Sequence, residues 1–157
     1  MPIKPSTDLL TQFGHAYPTG QADLDGALRT KIVRIKLPAD AAANTQTEHL
    51  LAISEGDLVL QQVRILPQGA VAADNTDYVT IALQTGDLAA GALATAVASK
   101  DTRAASLNGL AANTVAVIGT GLASICAASR RISLNVTKAG AGKQMPVLLV
   151  ELTYQVS

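Results

Sequence analysis

The stretch Val115-Ala116-Val117-Ile118-Gly119-Thr120-Gly121-Leu122-Ala123-Ser124 joins an apolar run to a Gly-x-Gly-x-x-small spacing. In dinucleotide-binding folds that spacing lets a pyrophosphate approach the backbone at a helix N-terminus. The rest of that chemistry is missing. Ser124 stands where the third glycine belongs, and no Asp or Glu lies between Asp101 and Glu151 to hold a ribose. Too little chain follows to complete a βαβαβ unit. The segment is expected to be a strand that ends in a flexible turn. Gly140-Ala141-Gly142-Lys143 invites comparison with a phosphate loop, but Gln144 stands where Ser or Thr is required, and Pro146 and a strand follow in place of a helix. A hairpin turn is expected there. Asn135-Val136-Thr137 matches a glycosylation acceptor. It falls inside an expected strand of a chain that opens without a secretory leader, and is discounted.

Nucleophilic catalysis requires a nucleophile oriented by a base. The two histidines are His15, in the N-terminal segment, and His49, at the edge of an expected loop; Cys126 is the single cysteine. Residues so widely spread form no catalytic grouping and lack the close-spaced pairs that zinc sites use. Cys126 has no partner for an intramolecular disulfide and reads as a small buried hydrophobe. Asp23 and Asp25 supply two carboxylates, short of a calcium shell of about six to eight oxygens. No catalytic residue, metal site or cofactor is expected.

Composition narrows the partners. Of 157 residues, 48% are hydrophobic and 15% charged, against about 25% charged in an average soluble domain. A surface with few charges repels itself weakly and suits a protein packed against others. Twelve basic residues balance twelve acidic ones, so no overall basic field argues for nucleic acid. The densest basic stretch, Arg29, Lys31, Arg34 and Lys36, reads as the solvent side of a strand. Aromatic residues are 3%, with no Trp, which removes the stacking platforms of nucleic-acid and carbohydrate modules alike. The N-terminus shows no apolar leader, and no run of about eighteen apolar residues argues for a membrane span. A cytoplasm-like compartment is expected.

The elements that must position these residues are strands. Residues 1–28 carry Pro2, Pro5, Gly14, Pro18, Gly20 and Gly26 with neither a helical nor a strand period. They read as an extended arm whose apolar residues, Leu9, Leu10, Phe13 and Tyr17, either fold back on their own domain or, the reading favoured, lie across a neighbour. From residue 29 the period becomes two: Val33, Ile35 and Leu37 alternate with Arg34 and Lys36, and Pro38 ends the strand. Residues 39–48 read as a loop. A second strand is expected over 57–66, with Val59, Val63 and Ile65 on one face, then a turn at Pro67-Gln68-Gly69. A third covers 77–85, with Val79, Ile81 and Leu83 inward, bounded by turn residues including Gly86-Asp87. Another spans about 131–137, with Ile132, Leu134 and Val136 inward. The last covers about 146–156, with Leu148, Val150, Leu152, Tyr154 and Val156 on one face. Residues 88–128 are rich in Ala, Gly, Thr and Ser. Alternation at Leu93, Thr95 and Val97, and at Val115 and Val117, gives two or three more strands, with a short helix near 122–130 left open. Seven or eight short strands with one wet face predict an all-β antiparallel sandwich or barrel over residues 29–157.

Two stretches resemble a known family. One runs Ile65-Leu66-Pro67-Gln68-Gly69-Ala70-Val71-Ala72-Ala73-Asp74-Asn75-Thr76-Asp77-Tyr78-Val79-Thr80-Ile81-Ala82-Leu83. The other runs from Ile132 through the glycine turn at 140–142 and Pro146 to Leu152. Together they resemble the small jelly-roll decoration (cement) proteins of tailed-bacteriophage capsids. The resemblance implies a jelly-roll β-sandwich and a structural virion protein, assembled in the bacterial host cytoplasm and seated on the outer capsid surface. It implies the major capsid protein as partner, self-association as a homotrimer, and bridging of neighbouring capsomers. An arm of 28 residues spans at most about 90–100 Å extended, enough to reach a neighbouring subunit. The alternative is a phage surface adhesin or glycan-binding β-sandwich module of a head fibre or tail.

Overall fold

A computed structural model describes residues 30–41, 43, 46–88, 96–103 and 109–156. These form β1 (Thr30–Leu37), β2 (Gln46–Ile53), β3 (Leu58–Pro67), β4 (Val79–Asp87), β5 (Ala96–Asp101), β6 (Ala116–Cys126), β7 (Arg130–Lys138) and β8 (Leu148–Val156). Two four-stranded antiparallel sheets result, in the orders β1-β8-β3-β6 and β2-β7-β4-β5. The pairs β1·β8, β2·β7, β3·β6 and β4·β5 are nested, as in one long hairpin with its tip between β4 and β5. Pairing of β3 with β8 and of β4 with β7 rolls that hairpin into a sandwich. This is the jelly-roll order, and the expected all-β sandwich is observed. The arm read over 1–28, with Leu9, Leu10, Phe13, Tyr17, His15, Asp23 and Asp25, lies outside the described residues, as do Arg29, Leu93 and Thr95.

Alternation builds the core. Leu60, Val63, Ile65, Val150 and Leu152 of one sheet and Ile81, Leu83, Ile132, Leu134 and Val136 of the other are all buried in a single cluster. Burying each such side chain fully is worth about 1.5–3 kcal/mol. In β3 the inward set changes parity. Leu58 and Leu60 point in, then Val63, Ile65 and Pro67. The register of β3 shifts between Leu60 and Gln62 against both β8 and β6. This bulge inserts Gln61 and flips every residue beyond it. Val59, expected beside Val63, is therefore on the outer face.

Other expectations are also corrected. The loop read over 39–48 gives way to β2 from Gln46, whose pattern was weak because only Leu51 is fully buried. His49 consequently sits in a strand. β6 keeps Ile118 buried and leaves Val115 and Val117 exposed, so the inward residues are the intervening ones. The strand does not stop at its glycines. It runs to Cys126, in place of a short helix near 122–130, and turns at Ala128 and Ser129. Gly119 allows close approach, since a Cβ there would lie 2.6 Å from that of Ala98; Gly121 takes φ +59°. Gly86 and Asp87 end β4 instead of bounding it. The glycine turn at 140–142 joins β7 to β8, which belong to different sheets, so it is a crossing and not a hairpin. The outer face of β7 is not wet: Ser133 and Asn135 are buried.

Two knots close the ends. Ser54 N donates to Arg130 O at 2.8 Å, Arg130 N donates to Ser54 Oγ at 2.9 Å, and that hydroxyl lies 2.7 Å from Ala127 O. The β2–β3 and β6–β7 turns are thereby tied. At the opposite end Val71 and Leu110 form an isolated bridge, and Thr102 Oγ1 accepts from Val79 N at 2.9 Å.

Candidate binding face

The outer face of the β1-β8-β3-β6 sheet holds a groove of about 410 Å³. Strand parity sends Arg34 and Lys36 of β1, Arg64 and Leu66 of β3, and Leu149 and Glu151 of β8 outward. Leu66 pairs with Leu149 across the β3·β8 ladder, and Arg64 pairs with Glu151 two residues on. Val115, just before β6, completes an apolar floor. Val115, Val117 and Leu149 are all exposed, which leaves aliphatic surface uncovered on a rigid sheet.

Charge frames that floor. Arg34 Nε donates to Glu151 Oε2 at 2.8 Å, and Arg64 Nη2 donates to Glu151 Oε1. The Arg64 guanidinium, followed by that of Arg34, holds the Glu151 carboxyl below the usual carboxylate range. Glu151 is the best-covered member of the trio, at 16% side-chain exposure against 73% for Arg34 and 41% for Arg64. Lys36 forms no ion pair among the described residues. Alternation already put Arg34 and Arg64 on the solvent side. Their convergence on Glu151 depends on long-range strand order, for which the local pattern carries no signal.

A second polar row lies outside the other sheet. Ser133 Oγ donates to Glu48 Oε1 at 2.6 Å, Arg131 Nε lies 3.2 Å from the same oxygen, and Asn135 Nδ2 donates to Gln84 Oε1 at 2.7 Å. Asn135 Oδ1 is buried and has no hydrogen-bond partner among the described residues. With its nitrogen engaged and its side chain covered, Asn135 is poorly placed as a glycan acceptor.

At the inner edge of β2 a charged node is sealed. The Lys138 side chain has no solvent exposure, and its Nζ lies 3.0 Å from Asp40 Oδ2. It also donates to Ala41 O, and Thr47 Oγ1 donates to the same carboxylate oxygen at 3.2 Å. The lysine hydrogen bond keeps the Asp40 carboxyl below its usual range, while burial pushes the His49 imidazole down.

The remaining residues singled out in the sequence are structural where described. Cys126 is buried beside Ser54, and burial pushes its thiol pKa up. Lys143 Nζ donates to Ala72 O at 2.6 Å and lies 3.5 Å from Asp74 Oδ2, which ties the β7–β8 crossing to the β3–β4 loop. Among the described residues no group of three or more His, Cys, Asp or Glu could hold a metal ion. Comparison with protein-family models and with curated proteins gives no match.

Proposed function

We propose that this chain is a structural virion protein that binds the outer surface of an assembled phage capsid and stabilises it by bridging neighbouring capsomers. The observation that carries the reading is the aliphatic floor of Leu66, Val115 and Leu149 gathered in one groove on the outer face of a jelly-roll sheet. Rigid sheets hold such a surface in one geometry, so binding loses little conformational entropy. Self-association as a trimer would present three such faces and three N-terminal arms, and weak contacts would then add through effective concentration. The resemblance to phage decoration proteins supplies the identity of the shell.

Mass spectrometry of purified virions, followed by a mid-resolution capsid map, tests this directly. The expected result is the chain at fixed stoichiometry with density on the outer lattice. A chain absent from virions and free in the lysate would rule the reading out.

The second reading, a phage surface adhesin or glycan-binding module, is favoured by one observation. Glu48, exposed, and Gln84, half-buried, place polar side chains at the outer ends of the row that Ser133 and Asn135 anchor. Glycan-array binding abolished by Glu48→Ala would support it.

A further inference from the structure

The groove carries more positive than negative charge in a chain that is neutral overall. Arg34, Lys36 and Arg64 face one carboxylate, Glu151. Each arginine gives one nitrogen to Glu151, and a guanidinium has five N–H donors. Cationic donors therefore remain beside an aliphatic floor. Small-molecule sites enclose about 70–90% of their ligand, whereas this floor is made of side-chain tips on a sheet face and covers one side only. An occupant must gather area along its length. Among the described residues no aromatic side chain lines the groove, so those residues give no platform for nucleobases.

From this charge complementarity we infer that the groove binds an extended acidic segment of a protein partner. Aliphatic side chains of that segment sit on Leu66, Val115 and Leu149, and its carboxylates meet Arg34, Lys36 and Arg64. An extended chain presents alternate residues to one face, so a segment whose carboxylates stand two residues before and after its aliphatic residues satisfies floor and rim together. The inference rests on the protein-binding reading above and adds the chemistry of the partner.

The probe is a synthetic capped peptide, Asp-Ser-Leu-Ser-Val-Ser-Asp, whose Asp, Leu, Val and Asp share one face when extended, with a counterpart in which each Asp is replaced by Lys. Both are titrated into the full ¹⁵N-labelled chain. The acidic peptide is expected to shift amide resonances at 34–36, 64–66, 115–117 and 149–151. Affinity should fall with added salt, and by about ten-fold in the Arg34→Ala, Lys36→Ala double variant, as for loss of charge-assisted contacts. Both side chains are exposed, so the fold tolerates their removal; an unchanged unfolding midpoint checks this. Equal binding of the lysine peptide, shifts scattered elsewhere, or an unaffected double variant would each overturn the inference. Tighter binding of a uridine oligonucleotide at the same resonances would overturn it too. A co-sedimentation assay on phage heads separates the two claims. If Val115→Asn, Leu149→Asn abolishes attachment while the acidic peptide neither binds nor competes, the partner chemistry fails and the capsid reading stands. If the peptide binds but heads never do, the capsid reading fails and the partner chemistry stands.

Discussion

At the residue scale, the Lys138 ammonium sets the sharpest stability test. It is sealed inside the sandwich with Asp40 and the Ala41 carbonyl as its partners. Removing one partner of a buried pair strands the other charge and costs about 3–5 kcal/mol. Asp40→Asn is expected to fall in that range by urea denaturation. Lys138→Met removes the buried charge and leaves the Asp40 carboxylate, 27% exposed and so open to solvation, and should cost clearly less. Equal losses would mean that the pair is solvated in solution. The same corner sets an acid response. His49 has a depressed pKa from burial, so the unfolded chain binds its proton more readily. Stability should therefore begin to fall as pH drops below the ordinary histidine value of about 6.5. Asp40 is also depressed, and its contribution, present above the unfolded carboxylate value, is lost as pH falls through the lower folded one. The denaturation midpoint against pH should show two separate declines, and His49→Leu should erase the upper one only.

At the element scale, the β7–β8 crossing depends on two glycines at positive φ, Gly140 at +65° and Gly142 at +78°. A Cβ on Gly142 would run into the backbone of Ala43, and one on Gly140 into Asp77 and Thr76. A left-handed conformation costs a non-glycine residue about 1–2 kcal/mol before any clash. Gly142→Ala should exceed that loss in thermal or urea unfolding, whereas Gly56→Ala, with open space around its position, should not be penalised by crowding. A result with the two reversed would contradict the turn geometry. Five of the strands were legible because branched aliphatics alternate cleanly, as Val79, Ile81 and Leu83 do. β2 was hidden because it places Thr47 and His49 inward, where the Thr47 hydroxyl donates to the Asp40 carboxylate and the His49 imidazole is half-buried. In β3 the pattern failed at Gln61, since a bulge has no strong local signature. The groove was half legible: outward cations can be read from parity, but their convergence on Glu151 comes from β8 lying between β1 and β3.

At the scale of the whole molecule, the roll places β1 and β8, the first and last strands, side by side, with β1 at the sheet edge. Everything before Thr30 precedes that edge strand. The eight strands and the core cluster all lie from Thr30 onward, so a chain lacking residues 1–28 is expected to keep both sheets, which circular dichroism checks. If the segment with Leu9, Leu10, Phe13 and Tyr17 grips a neighbouring subunit, the same truncation should weaken attachment to phage heads. Unchanged attachment would remove the arm from the mechanism. Extending the deletion through Leu37 makes a different prediction. It takes Ile35 and Leu37 from the core and uncovers the backbone ladder of β8, nine residues long. A new, long, unprotected edge is a template for pairing between chains. The longer truncation should aggregate on light scattering while the shorter one stays dispersed, and the contrast isolates β1 as the strand that closes the sheet.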